Sequence, residues 1–210
     1  MIFKICGLKK SESLICCEEN KIDFFGMIFY KKSPRNIEIH QAKKLTDISN
    51  NLKIQPVGVF VNHNIDSLNK IISYLNLKLI QLHGEESQSY IDEIKKQFDV
   101  EIIKKISIRT AKDLNKISKF KNVDYLLFDY KPNYNELPGG NSKSFDWELL
   151  KDKKIGLPWF ISGGINQDNI KKIQNLLNPN GIDLSSGVEE SIGIKSNTKI
   201  NNLFKKFYDN

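Results

Sequence analysis

The chain reads as a single-domain α/β protein, a (β/α)8 barrel spanning residues 1–210, on three observations. Short apolar runs alternate with longer amphipathic runs from one end to the other. The short runs number eight. Chemically distinctive residues stand just after many of them. Short apolar runs are what strands buried on both faces look like, as in a parallel sheet covered by helices. Alternation alone also permits an open doubly wound sheet. The count of eight, and the residues placed after the strands, favour closure. In a barrel those strand ends converge on one face, where active sites sit.

In chain order the strand-like runs fall at 2–6, 24–29, 56–61, 77–82, 101–106, 125–129, 159–162 and 182–185. Helix-like segments fall at 11–20, 38–51, 65–75, 87–98, 111–120, 145–150, 167–177 and 197–207. The third of these shows the pattern well, with Ile65, Leu68, Ile71, Ile72 and Leu75 at three- and four-residue steps. Eight such units in 210 residues leave room for little else, and no linker or low-complexity tract divides the chain. The longest irregular stretch, 131–144, holds prolines, asparagines and a Pro-Gly-Gly. It reads as an active-site loop rather than a hinge.

Bulk composition excludes several classes. Hydrophobic residues make up 40% and charged residues 27%, an ordinary globular balance. No apolar run approaches the roughly 20 residues that span a bilayer, and the first residues read as a strand, not a cleavable signal. A cytoplasmic protein is the expectation. The net charge of +7 comes from lysines scattered through nearly every helical segment with acidic residues among them. A nucleic-acid binder would gather them into a patch, so no nucleic-acid and no membrane partner is expected. A mild pull on small anionic substrates remains. Cys6, Cys16 and Cys17 fit neither a disulfide framework nor zinc-ligand spacing.

The last two strands carry an anion-binding signature. Phe160-Ile161-Ser162-Gly163-Gly164 and Leu184-Ser185-Ser186-Gly187 each end in small residues that let backbone N–H groups approach a ligand. Barrel enzymes often hold phosphate with the turns after strands 7 and 8, and these are the seventh and eighth. Cys6 ends the first strand and Asp129 the sixth. A carboxylate past three apolar residues at a strand tip faces the barrel mouth. A free cysteine there is ordinarily a small hydrophobe, and it serves as a base only where positive charge favours the thiolate. Lys4 and Lys9 are near in sequence, with Lys4 read as outward-pointing. Arg35, one of only two arginines, follows Ser33-Pro34 and could grip a carboxylate. His83 follows the fourth strand and could donate to substrate or bond to a neighbouring carbonyl. His40 and His63 read as surface residues.

Together these segments resemble the phosphoribosylanthranilate isomerase family of tryptophan biosynthesis. The resemblance rests on Lys4-Ile5-Cys6-Gly7-Leu8, Ser33-Pro34-Arg35, 57–62, Gln81-Leu82-His83-Gly84-Glu85, Phe128-Asp129, Gly139-Gly140 with Phe145-Asp146-Trp147, Gly163-Gly164, and 183–189, in the family's order across almost the whole chain. It implies an Amadori rearrangement of a small phosphorylated substrate without metal or organic cofactor, by a monomer or homodimer. It matches Asp129 to the general acid and Cys6 to the general base. Arg35 is matched to the group on the anthranilate carboxylate, with His83 and Asp183 as further substrate-binding residues. Gly163, Gly164, Ser186 and Gly187 are matched to the phosphate-gripping turns.

Two departures stand out. The family's Gly-Gly-Thr-Gly is Gly139-Gly140-Asn141-Ser142 here, which puts that loop's conformation in question. Ser196 stands where an aspartate normally follows the lysine, and serine caps a helix nearly as well. Two rivals frame the reading. Another phosphosugar isomerase or epimerase would use paired carboxylates or a metal where this chain offers Cys6. A non-catalytic phosphate-ligand binder would keep the glycine turns and lose the acid or base.

Overall fold

A computed structural model describes residues 1–208. Eight parallel strands close into a barrel in chain order. They are β1 (Ile2–Cys6), β2 (Phe24–Phe29), β3 (Gln55–Phe60), β4 (Leu79–Leu82), β5 (Glu101–Ile108), β6 (Tyr125–Tyr130), β7 (Trp159–Ile161) and β8 (Gly181–Leu184). The ring closes where β8 pairs with β1, Asp183 beside Lys4. Between strands run α1 (Ser11–Glu19), α2 (Ile39–Ser49), α3 (Ile65–Leu75), α4 (Gln88–Gln97) and α5 (Ile170–Leu176), and α6 (Asn197–Tyr208) follows the last strand. This is the single (β/α)8, or TIM, barrel that the count of eight and the residues after the strands favoured over an open sheet. No helix among the described residues is long and apolar enough to cross a membrane.

Two helical segments differ from the sequence reading. Residues Ala111–Lys119 form a 3-10 helix. Its partly buried apolar residues, Leu114, Ile117 and Phe120, recur every third position. That spacing suits three residues per turn and would drift off one face of an α-helix. The segment at 145–150 shrinks to one 3-10 turn, Trp147–Leu150, capped by Asp146, whose carboxylate accepts from the Glu148 N–H at 3.1 Å. The long loop before it takes up the chain that a full helix would need. A further 3-10 turn, Ser186–Val188, leads into a hairpin of β9 (Glu189–Ser191) and β10 (Ile194–Lys195) beside the barrel mouth.

Strand alternation sorts the side chains. Phe3 points out and meets the Phe204 and Phe207 rings of α6 edge-on, each at 4.8 Å. Inside the barrel, Val57, Val59, Leu79, Ile103, Leu127 and Phe160 form an apolar plug with Cys6 at its edge. Two residues further along the strands the same inward face carries Gln81, Lys105, Asp129 and Ser162, all buried. The interior therefore turns from apolar to polar over one layer, and that layer is the floor of the mouth.

Both departures from the family pattern find local answers. Ser142 takes a left-handed backbone with φ of 56°, which costs a non-glycine residue about 1–2 kcal/mol. Ser196 does cap α6: its hydroxyl accepts from the Lys199 N–H at 3.3 Å.

Candidate active site

Above that floor lies a cleft with about 530 Å³ of empty space, lined by Cys6, Arg35, His83, Asp129, Ser162 and Asp183 among others. An adjoining hollow of about 350 Å³ is lined by Gly163, Gly164 and Ser186. Asp129 and Asp183 face both spaces, so the two form one trough. Eight of the nine residues singled out in the sequence thus line the trough, and Gly187 lines a neighbouring hollow that shares Gly164 and Ser186 with it. Residues 137–143 of the long loop wall both parts of it, in keeping with an active-site loop.

At the glycine end the site is built of backbone. Gly163 and Gly164 have φ of 93° and 67°, a turn that side chains resist. The turn after β8 presses against it, for a Cβ on Gly187 would lie 1.9 Å from the Ile165 carbonyl oxygen. No larger residue fits there without parting the two turns. Their convergence makes a small concave surface of main chain, suited to an anion.

At the other end the site is built of charged side chains. Arg35 is buried, and its Nε and Nη2 each donate to a Glu189 carboxylate oxygen at 2.7 Å. Lys195 donates to the same carboxylate at 2.7 Å. Burial pushes Glu189 up, but Arg35 and Lys195 outweigh it and hold the carboxyl below its ordinary range. Nη2 also donates to the Gly140 carbonyl at 3.4 Å, so with Nε and Nη2 taken Arg35 has its Nη1 to offer a ligand. Around the trough four cations (Lys4, Arg35, Lys105 and Lys195) face three carboxylates (Asp129, Asp183 and Glu189), all buried. The balance favours an anionic guest.

Between the two ends stand the thiol and the carboxyl. Cys6 is 6% exposed. Burial pushes its thiol up, while Lys4 and Lys195 pull it down without winning. Lys4 does not point outward as the sequence suggested. It lies on the inward face of β1 with Cys6, wholly buried, and donates to Asp183 at 2.8 Å. Burial works against its charge, yet Asp183 and Cys6 outweigh burial and keep it protonated. Asp129 accepts from the Tyr130 N–H through Oδ1 at 2.8 Å and turns Oδ2 toward His83 Nε2 at 3.4 Å. His83 lines the cleft, and its Nδ1 lies 2.7 Å from Gln81 Nε2 rather than at a neighbouring carbonyl. Lys105 donates to the Pro138 carbonyl in the long loop at 3.2 Å, and burial pulls its pKa down. His63 is half-buried, its ring edge-on to Phe60, whereas His40 is exposed as expected.

Sequence reasoning missed Lys4, Gln81, Lys105, Glu189 and Lys195. The first three carried a signal: each is a polar residue inside an apolar strand, in step with inward-facing neighbours. Glu189 and Lys195 stand in stretches that the resemblance covers, but nothing local ties them to Arg35.

Comparison with known proteins agrees with this geometry. The family model for N-(5'phosphoribosyl)anthranilate (PRA) isomerase matches residues 3–206. A Rhizobium johnstonii N-(5'-phosphoribosyl)anthranilate isomerase is 40% identical over 203 residues, 96% of this chain and 91% of that protein. The crystal structure of the Thermotoga maritima phosphoribosyl anthranilate isomerase superposes with a TM-score of 0.87 at 29% identity, over 98% of both chains. A phosphoribosyl anthranilate isomerase in complex with reduced 1-(o-carboxyphenylamino)-1-deoxyribulose 5-phosphate superposes with a TM-score of 0.84 at 27% identity, again over 98% of both. By family model and by relatives matched along nearly its whole length, the chain belongs to the phosphoribosylanthranilate isomerase family, enzymes of tryptophan biosynthesis.

Proposed function

We propose that Asp129 and Cys6 perform the isomerisation as general acid and general base from opposite sides of the bound sugar. Asp129 gives its proton to the ribose ring oxygen. The bond from that oxygen to C1 breaks, and the anthranilate nitrogen lone pair forms the iminium. The Cys6 thiolate then removes the proton on C2, and the C2–H electron pair neutralises the iminium as an enolamine. Tautomerisation moves the enol proton to C1 and leaves the C2 ketone of 1-(o-carboxyphenylamino)-1-deoxyribulose 5-phosphate. Passing the proton on Cys6 back to Asp129 readies the site for the next turnover. A proton taken at one atom and given at another calls for two groups of different character, which a thiol and a carboxyl provide.

The observation that carries this reading is that Cys6 and Asp129 line one cleft. The ends of the trough support it. The turns at Gly163, Gly164, Ser186 and Gly187 hold the phosphate, and Nη1 of Arg35 takes the anthranilate carboxylate. Asp183 and His83 face the sugar between them. Anchoring both anions fixes the reacting carbons over the thiol and the carboxyl, worth several kcal/mol of barrier.

The test uses freshly generated phosphoribosylanthranilate and follows loss of anthranilate-type fluorescence. Cys6→Ala and Asp129→Asn should each lower kcat at least about a hundredfold, the usual loss with a general acid or base, while still binding product. Near-normal turnover in both variants would refute the assignment of roles.

A further inference from the structure

The acid has a support that the reaction scheme above leaves unused. Gln81 is wholly buried on the inward face of β4. Its Nε2 lies 2.7 Å from His83 Nδ1, and the opposite ring nitrogen, Nε2, lies 3.4 Å from Asp129 Oδ2. An amide nitrogen only donates, so His83 Nδ1 must present its lone pair. Burial, with help from Lys105, holds the ring below its ordinary pKa, so it carries a single proton. That proton then sits on Nε2, aimed at the Asp129 carboxyl. Turning the amide around would put a proton on Nδ1 and, once Asp129 has given up its proton, set the bare Nε2 lone pair against the ionised Oδ2, two acceptors face to face.

The cost of this arrangement is visible. Gln81 Oε1 is buried and has no hydrogen-bond partner among the described residues. Buried amides ordinarily satisfy both ends. Here one end goes without, while the other keeps a short contact with the ring. Gly139 in the long loop closes over the same nitrogen: a Cβ there would lie 2.6 Å from His83 Nε2. The ring is therefore held from three sides by Gln81, Asp129 and the loop.

We propose that Gln81 is a positioning residue for the acid, fixing His83 as the Nε2–H tautomer so that its ring N–H steadies the Asp129 carboxylate formed when the acid gives up its proton. The inference rests on the reading of Asp129 as the acid. It assigns His83 to the acid's support as well as to the substrate cleft. The donor is in place before the negative charge develops, so no reorganisation is needed during the proton transfer.

The test reads the tautomer directly, by long-range 1H–15N NMR of the His83 ring in the intact wild-type protein at neutral pH. The expected spectrum shows Nε2 protonated and Nδ1 bare. A protonated Nδ1, alone or as imidazolium, overturns the proposal whatever the activity. Gln81→Met then removes the donor at similar volume. It should release His83 from its single tautomer and lower kcat about tenfold, less than loss of the acid itself, with KM held within about twofold. A fall in kcat with the tautomer unchanged, or a changed tautomer with normal kcat, also overturns it. Failure of the acid assignment looks different: Asp129→Asn keeps its turnover while wild-type His83 still shows the Nε2–H form.

Discussion

The two ends of the trough, each proposed above as a seat for an anion, are built of different materials. The glycine end uses main chain: left-handed turns at Gly163 and Gly164 and the tight approach of Gly187 to Ile165. The arginine end uses side chains brought from afar, with Arg35 gripped by Glu189, a partner 154 residues away. Backbone seats need no counter-charge and write themselves into the sequence as small residues at fixed places. Side-chain seats need buried partners to hold the charge, and those partners leave no local trace.

The largest expected effect comes from breaking the side-chain end. Glu189→Gln strands Arg35 and Lys195 as buried cations without their shared carboxylate. Removing one partner of a buried ion pair typically costs about 3–5 kcal/mol, so denaturant unfolding should show a loss near the lower figure. A loss under about 1 kcal/mol would mean the cluster is not the structural keystone of that end. The backbone end should answer differently. Gly187→Ala forces the two turns apart; KM for substrate and the inhibition constant for inorganic phosphate should both rise at least about tenfold, or about 1.4 kcal/mol. Its kcat should change little, and a selective loss of kcat would place the phosphate elsewhere.

The smallest effect belongs to the thiol between them. Burial raises the Cys6 pKa, so the reactive thiolate is scarcer at neutral pH than for a free cysteine near 8.5. Alkylation of Cys6 by iodoacetamide, followed by mass spectrometry, should run a few-fold slower than that of a free thiol at pH 7. It should keep rising as pH passes the ordinary thiol range. Faster alkylation than a free thiol would show that Lys4 and Lys195 outweigh burial after all.

The same contrast explains what the sequence made legible. The strands declared themselves through apolar runs, and β1 and β2 begin and end where those runs do. The glycine turns after β7 and β8 were readable because glycine has a backbone reason to be there. Asp129 was readable as a strand-end residue because it follows Leu126-Leu127-Phe128, and it does lie near the end of β6. Lys4 was misread for a physical reason: a lysine inside a strand ordinarily points to water, and only pairing with Asp183 across β1 and β8 makes its burial tolerable. Gln81 and Lys105 needed the alternation carried two residues past the plug. The hairpin of β9 and β10 and its Glu189–Lys195 pair lay beyond any local pattern. In the 3-10 segment the three-step spacing of Leu114, Ile117 and Phe120 was there to be read, but a helical period fits such short stretches almost as well.

The central claim, a thiol and a carboxyl acting on one sugar held at both ends, is tested most directly by a crystal structure with the reduced product analogue bound. The account predicts the phosphate in the turns at 163–164 and 186–187 and the carboxylate on Nη1 of Arg35. It further predicts Cys6 Sγ and the Asp129 carboxyl on opposite faces of the sugar chain, each within about 4 Å of its reacting atom. An analogue seated with both groups on one face, or with either more than about 6 Å from the chain, would contradict it.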